Sequence, residues 1–231
     1  MSSTAVRTER IDNVLVIHMD DGKANALSFD MLAAIVAAVD AAVADDTVGA
    51  IVLHGRPGKF CAGFDLSVMG SGDWNAVANL MCDGGDLVHK LYGAPIPVVA
   101  ASTGHALAAG ALLLLGCDLR VGADVPCKIG LNEVTIGIVL PDWAITICDD
   151  RLSRRHLQTA VALSELTGAQ GAVDVGFLDV VVPEADVLAT AVAKAQVYAG
   201  FSRAAYGGTV QAMRAGVLAR MAELVKRDRP K

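Results

Sequence analysis

The sequence lacks any excess of positive charge. Nineteen Lys and Arg stand against 25 Asp and Glu, for a formal net charge of −6, and the basic residues are scattered apart from the tail Lys226-Arg227-Asp228-Arg229-Pro230-Lys231. A polyanion partner needs a basic face, so a nucleic-acid role is disfavoured. There is also no C-x-x-C pair. Five cysteines, Cys61, Cys82, Cys117, Cys127 and Cys148, sit mostly among apolar neighbours, which argues against a disulfide frame or a zinc site and for reduced thiols of a cytoplasmic protein; no metal is expected. The most apolar run, residues 106–115, is too short to cross a bilayer and is flanked by His105 and Asp118. The opening MSSTAVRTERID carries no signal-peptide core. No membrane association is expected, and there is no internal repeat or low-complexity tract.

What is present is a chain of 231 residues, 54% hydrophobic, enough for one sizeable core. Residues 6–10 and 14–19, rich in Val and Ile about Asp12-Asn13, are expected to pair as a hairpin. Ser28 is a suitable N-cap for a helix in which Leu32, Ile35, Val36, Val39 and Val43 recur at helical spacing. Residues 49–54 form an apolar strand without alternation, so both faces should be covered. A helix is expected over 73–92, broken or kinked at Gly84-Gly85. A strand at 98–101, a helix at 106–115 and a strand at 119–123 come next. From Pro141 the pattern is mostly helical (143–150, 153–163, 169–175, 185–199 and 202–225), interrupted by a strand at 178–182. Alternating buried strands and helices predict an α/β layered core with loops after strands supplying the site.

The stretch from Ala100 to Trp143 concentrates the chemistry. It holds one carboxylate, Glu133, among Ile129, Leu131, Val134 and Ile136. A buried carboxylate without a partner is costly when ionised, so its pKa should rise towards the range useful for proton transfer near neutral pH. The alternative is a carboxylate that caps a helix or pairs with an arginine. Upstream, Gly104-His105-Ala106-Leu107-Ala108-Ala109-Gly110 is a small-residue turn opening a helix. There unpaired N–H groups can meet an oxygen that gains negative charge.

Three ordered motifs, FCAGFDL at 60–66, GHALAAGALLLLGCDLRVGAD at 104–124 and IGLNEVTIGIVLPDW at 129–143, resemble the enoyl-CoA hydratase/isomerase (crotonase) superfamily. With LTGAQGAVDVGFLDVVVP at 166–183 the similarity covers almost the whole chain. The resemblance implies an α/β spiral of ββα units over 1–183 and a helical C-terminal oligomerisation region over 184–231. It also implies a homotrimer or dimer of trimers, and an acyl-CoA thioester as substrate. No cofactor is expected beyond the coenzyme A that the substrate carries.

The same resemblance implies that the backbone N–H groups of Phe64 and Ala109 hold the thioester oxygen. Family members usually carry glycine at the second position, so alanine serves if its backbone does not need positive φ. Hydratases of the family use two glutamates; here the first position is Leu112 and only Glu133 remains. One base can shuttle a proton between carbons, whereas adding water is served by two groups, so isomerisation of a 3-enoyl-CoA to a 2-enoyl-CoA is favoured. The alternatives are a hydratase or another reaction on the same thioester, and a non-catalytic member that binds acyl-CoA. Asn132 and Asp142 are candidates to support Glu133, with loop and N-cap roles as the simpler readings. Lys23, Arg56 and Lys59 are candidates for the coenzyme A phosphates. Leu112, Trp143 and Trp74, with Leu80 and Ile138, are candidates for the acyl wall.

Overall fold

The computed structural model describes residues 5–230. The chain opens with strands β1 (Val6–Ile11) and β2 (Val14–Met19), then passes through helix α1 (Phe29–Ala44), β3 (Ala50–His54), β4 (Gly58–Cys61), α2 (Leu66–Met69) and α3 (Trp74–Tyr92). It continues through β5 (Val98–Ser102), β6 (Gly104–Leu107), α4 (Ala109–Gly116), β7 (Leu119–Ala123) and β8 (Ile129–Gly130). Helices α5 (Asp142–Arg151), α6 (Leu157–Val161) and α7 (Ala169–Val175) come next, and β9 (Val180–Val182), α8 (Val187–Tyr198) and α9 (Arg203–Asp228) complete it. No helix among the described residues is long and apolar enough to cross a membrane.

The expected hairpin forms, with Ile11 opposite Val14, and the remaining strands of its sheet add in parallel, in the order β1-β2-β3-β5-β7-β9. Strand alternation sends Ile51 and Leu53 into the main core, and Ala50 and Val52 into a second cluster with Val187, Ala191 and Ala195 of α8. The uninterrupted apolar run of β3 is thus explained by cover on both faces. Ser28 caps α1, its hydroxyl accepting the Met31 N–H.

Several sequence expectations change. Residues 106 and 107, expected to open a helix, lie in β6, so α4 starts at Ala109, and of the helix expected over 153–163 only Leu157–Val161 forms. α3 runs unbroken through Gly84 and Gly85, although two interior glycines cost a helix about 1 kcal/mol each relative to alanine; both are buried against aromatic rings. The last strand is shorter than expected, because Phe177 and Leu178 turn into the core after their N–H groups bond the Ala172 carbonyl.

Candidate active site

A second, three-stranded parallel sheet, in the order β4-β6-β8, positions the site. Because the three strands run in the same direction, their C-terminal ends lie side by side. The residues just past each strand are therefore brought to one edge: Ala62-Gly63-Phe64 after β4, Ala108 and α4 after β6, and Leu131-Asn132-Glu133 after β8. The approach is close. A Cβ on Gly104 would stand 2.1 Å from the Gly58 carbonyl oxygen, and one on Gly110 would stand 2.2 Å from that of Cys61, so neither position admits a side chain.

The two expected N–H donors meet at this edge. A Cβ on Gly63, at φ 95°, would lie 3.0 Å from the Ala108 Cβ and 3.6 Å from the Ala109 N. Among the described residues, neither the Phe64 nor the Ala109 N–H is taken by a backbone carbonyl outside the regular elements. Ala109 is the first residue of α4, where N–H groups have no intrahelical acceptor and the helix dipole favours negative charge. Positive φ falls on Ala108 (φ 52°, ψ −125°) and not on Ala109, so alanine at 109 meets the backbone condition.

Phe64 and Ala108, the residue before Ala109, line a cavity of about 340 Å³. Phe64, Leu107, Ala108, Leu112, Ile138 and Trp143 form part of its wall, with Asn132 and Glu133 supplying its polar side chains. Glu133 precedes a short 3₁₀ turn, Val134–Ile136, but its side chain caps nothing, and among the described residues it pairs with no arginine. It is 9% exposed and its Oε2 has no hydrogen-bond partner. Burial pushes its pKa up; the backbone N–H groups of Glu133 and Asn132 oppose this in part. The apolar company is only half as expected: Ile129 and Leu131 are buried, whereas Val134 and Ile136 are exposed, with Ile136 at the cavity rim.

The remaining candidates lie elsewhere. Trp74, at the start of α3, is 82% exposed and does not line the cavity, and Leu80 is core. Aromatic residues at helical spacing do not disclose which face the first turn presents. Asp142 begins α5 at the surface and forms an ion pair with Arg227 at 3.0 Å, away from the cavity wall. Asp65 caps α2, Asp118 accepts the Val98 N–H, and the His105 Nδ1 accepts the Lys128 N–H at 3.1 Å. Burial pushes the Cys61 thiol up to about 12, so it stays protonated.

Lys23 and Arg56 lie in neighbouring loops and Lys59 in β4. The Arg56 guanidinium donates to the Lys23 carbonyl and pairs with Asp20 at 3.0 Å, and Arg56 and Lys59 exchange backbone hydrogen bonds. The Ala62 N–H bonds the Ala24 carbonyl, which holds the Lys23 loop beside the Phe64 turn. Met69, Met81 and Pro141 also line the cavity. Each comes from a different element, and only the assembled fold reveals them.

A sequence profile described as enoyl-CoA hydratase/isomerase matches residues 9–229. The chain belongs to the enoyl-CoA hydratase/isomerase family. Among relatives, human mitochondrial enoyl-CoA delta isomerase 1 is 34% identical over 188 residues, 77% of this chain and 60% of its own length. A probable enoyl-CoA hydratase of Bacillus subtilis (strain 168) is 32% identical over 207 residues, 86% of this chain and 77% of its own length. The chain spans less than two thirds of the length of the curated mammalian isomerases that it matches.

Among solved structures, an apo enoyl-CoA isomerase of Mycobacterium tuberculosis superposes with a TM-score of 0.93 at 36% identity, covering 98% of both chains. Human mitochondrial delta3-delta2-enoyl-CoA isomerase gives 0.91 at 30% identity, over 97% of this chain and 88% of that one. The α/β core with its helical C-terminal region is the crotonase fold. Isomerase and hydratase names both occur among the relatives.

Proposed function

We propose that this chain is an isomerase that moves the double bond of a 3-enoyl-CoA into conjugation with its thioester, giving a 2-enoyl-CoA. One observation carries the reading: among the described residues, Glu133 is the single ionisable side chain lining the cavity. Leu112, where the family resemblance puts the first of a hydratase's two glutamates, lines the same cavity with an apolar side chain.

In this reading the Glu133 carboxylate removes a proton from C2, next to the thioester carbonyl. The electron pair spreads through the carbonyl to an enolate oxygen, which the Phe64 and Ala109 N–H groups stabilise. The protonated Glu133 then delivers the same proton to C4 as the C2–C3 double bond forms and the carbonyl returns. Nothing is added or lost. Burial supports both halves, since a raised pKa brings the carboxylate closer to the carbon acid as a base and lets it give the proton back. Asn132 lies beside Glu133 as its positioning residue, and Lys23, Arg56 and Lys59 are assigned to the coenzyme A phosphates. Assembly into trimers belongs to the same reading; the exposed Val139 leaves apolar surface for it to cover.

The purified chain is expected to convert 3-enoyl-CoA and to add no water to 2-enoyl-CoA. Glu133→Gln should lower kcat/KM by about 10²-fold or more while acyl-CoA binding persists. The acid limb of kcat/KM should lie above the ordinary glutamate range of about 4.3, because only the ionised form abstracts the proton. A hydroxyacyl product, or a fully active Gln variant, contradicts the proposal. Tight acyl-CoA binding with no turnover of any enoyl-CoA would make the chain a non-catalytic binder.

A further inference from the structure

We propose that Gly84 is a specificity-determining residue. By lacking a side chain, it lets the Phe64 ring recede against α3, and so sets how long an acyl chain the cavity accepts. The inference rests on the cavity being the acyl site argued above.

An interior glycine in a helix that does not end there calls for a packing reason. For Gly84 the reason is on one side chain. A Cβ there would lie 2.5 Å from both Cε1 and Cζ of Phe64, well inside van der Waals contact, so the ring would have to move. The Phe64 main chain cannot follow it. The Asp65 N–H bonds the Leu27 carbonyl, the Leu27 N–H bonds the Gly63 carbonyl, and Gly63 is packed on Ala108. The ring has α3 behind it and the cavity in front. A side chain at 84 therefore swings the ring into the space that the acyl chain would occupy, while the Phe64 N–H stays in place.

Gly85 has a related contact. A Cβ on it would stand 2.9 Å from Cε2 of Trp143, another wall residue, but also 2.8 Å from the Val225 side chain of α9. Because that position also serves helix packing, Gly84 is the cleaner test.

The experiment compares the wild type, Gly84→Ala, Phe64→Ala and the double variant on a ladder of short-, medium- and long-chain 3-enoyl-CoA thioesters. Gly84→Ala should lower kcat/KM for the longest chain that the wild type accepts by about tenfold or more, and for the shortest by less than about twofold. In the Phe64→Ala background the same substitution should leave the chain-length profile unchanged to within about twofold, since the ring that transmits it is gone. A loss equal at all lengths, no loss at all, or the same loss with and without the ring overturns the proposal. Calorimetric dissociation constants for saturated acyl-CoAs of graded length give the same discrimination without turnover. If the wild type isomerises nothing, the isomerase reading fails, while the binding ladder still decides the role of Gly84.

Discussion

Ala108 holds a backbone conformation, φ 52° and ψ −125°, that glycine visits readily and alanine does not. Its ψ sets the plane of the next peptide, and that peptide carries the Ala109 N–H proposed to hold the thioester oxygen. Strain at such a position costs on the order of 1–3 kcal/mol, partly offset because alanine restricts the unfolded chain more than glycine does. Ala108→Gly is therefore expected to raise stability by about 1 kcal/mol, read from thermal melting, with turnover retained; a lower melting point would mean that the site holds no strain. Glu133 was legible in the sequence because a lone carboxylate in an apolar run is chemically conspicuous. The positive φ was not, since Ala-Leu-Ala-Ala offers no glycine to mark the residue that turns. Asp142 looked like a neighbour of Glu133 by number, yet its first-turn position on α5 turns it to Arg227.

At the scale of elements, the short parallel strands β4, β6 and β8 bring three loops to one edge. The sequence showed each loop but not their adjacency, which depends on strand pairing. The pair Gly84-Gly85 is visible too and predicts a break or kink; only the rings of Phe64 and Trp143 show that it is a seat. The parallel register of β2 and β3 has a further consequence. It sets His18 opposite His54, with Nδ1 atoms 2.9 Å apart and the His18 Nε2 2.9 Å from Glu9. Burial first, then the neighbouring His18, lowers His54 to about 4. In the unfolded chain histidine titrates near 6.5, so below that pH the unfolded state takes up a proton that the folded state refuses. Stability should be full above pH 6.5 and fall as the pH drops towards about 4. Denaturant melts of His54→Gln across that window should show a smaller loss; an unchanged pH slope would remove His54 from the cause.

At the scale of the whole molecule, α9 folds back over α3 and α5 and closes the core beside the cavity, with Met221, Leu224 and Val225 buried. A buried polar group helps to pin it. The Arg214 guanidinium pairs with Asp118 at 2.8 Å, donates to the Tyr92 carbonyl at 2.7 Å and lies 4.2 Å over the Tyr92 ring. Removing one partner of a buried pair leaves the other charge unpaired, so Arg214→Ala should cost about 3–5 kcal/mol in urea unfolding; a loss below about 1 kcal/mol would mean that the Arg214–Asp118 pair does not hold α9. The central claim is a single buried carboxylate that carries one proton from carbon to carbon, and the most direct measurement tracks that proton. A 3-enoyl-CoA deuterated at C2 is incubated with the protein and the product is examined by mass spectrometry and NMR. The expected result is 2-enoyl-CoA with deuterium transferred to C4, in an amount that collapses with Glu133→Gln. A product hydroxylated at C3, or isomerisation that continues unchanged without the Glu133 carboxylate, would contradict it.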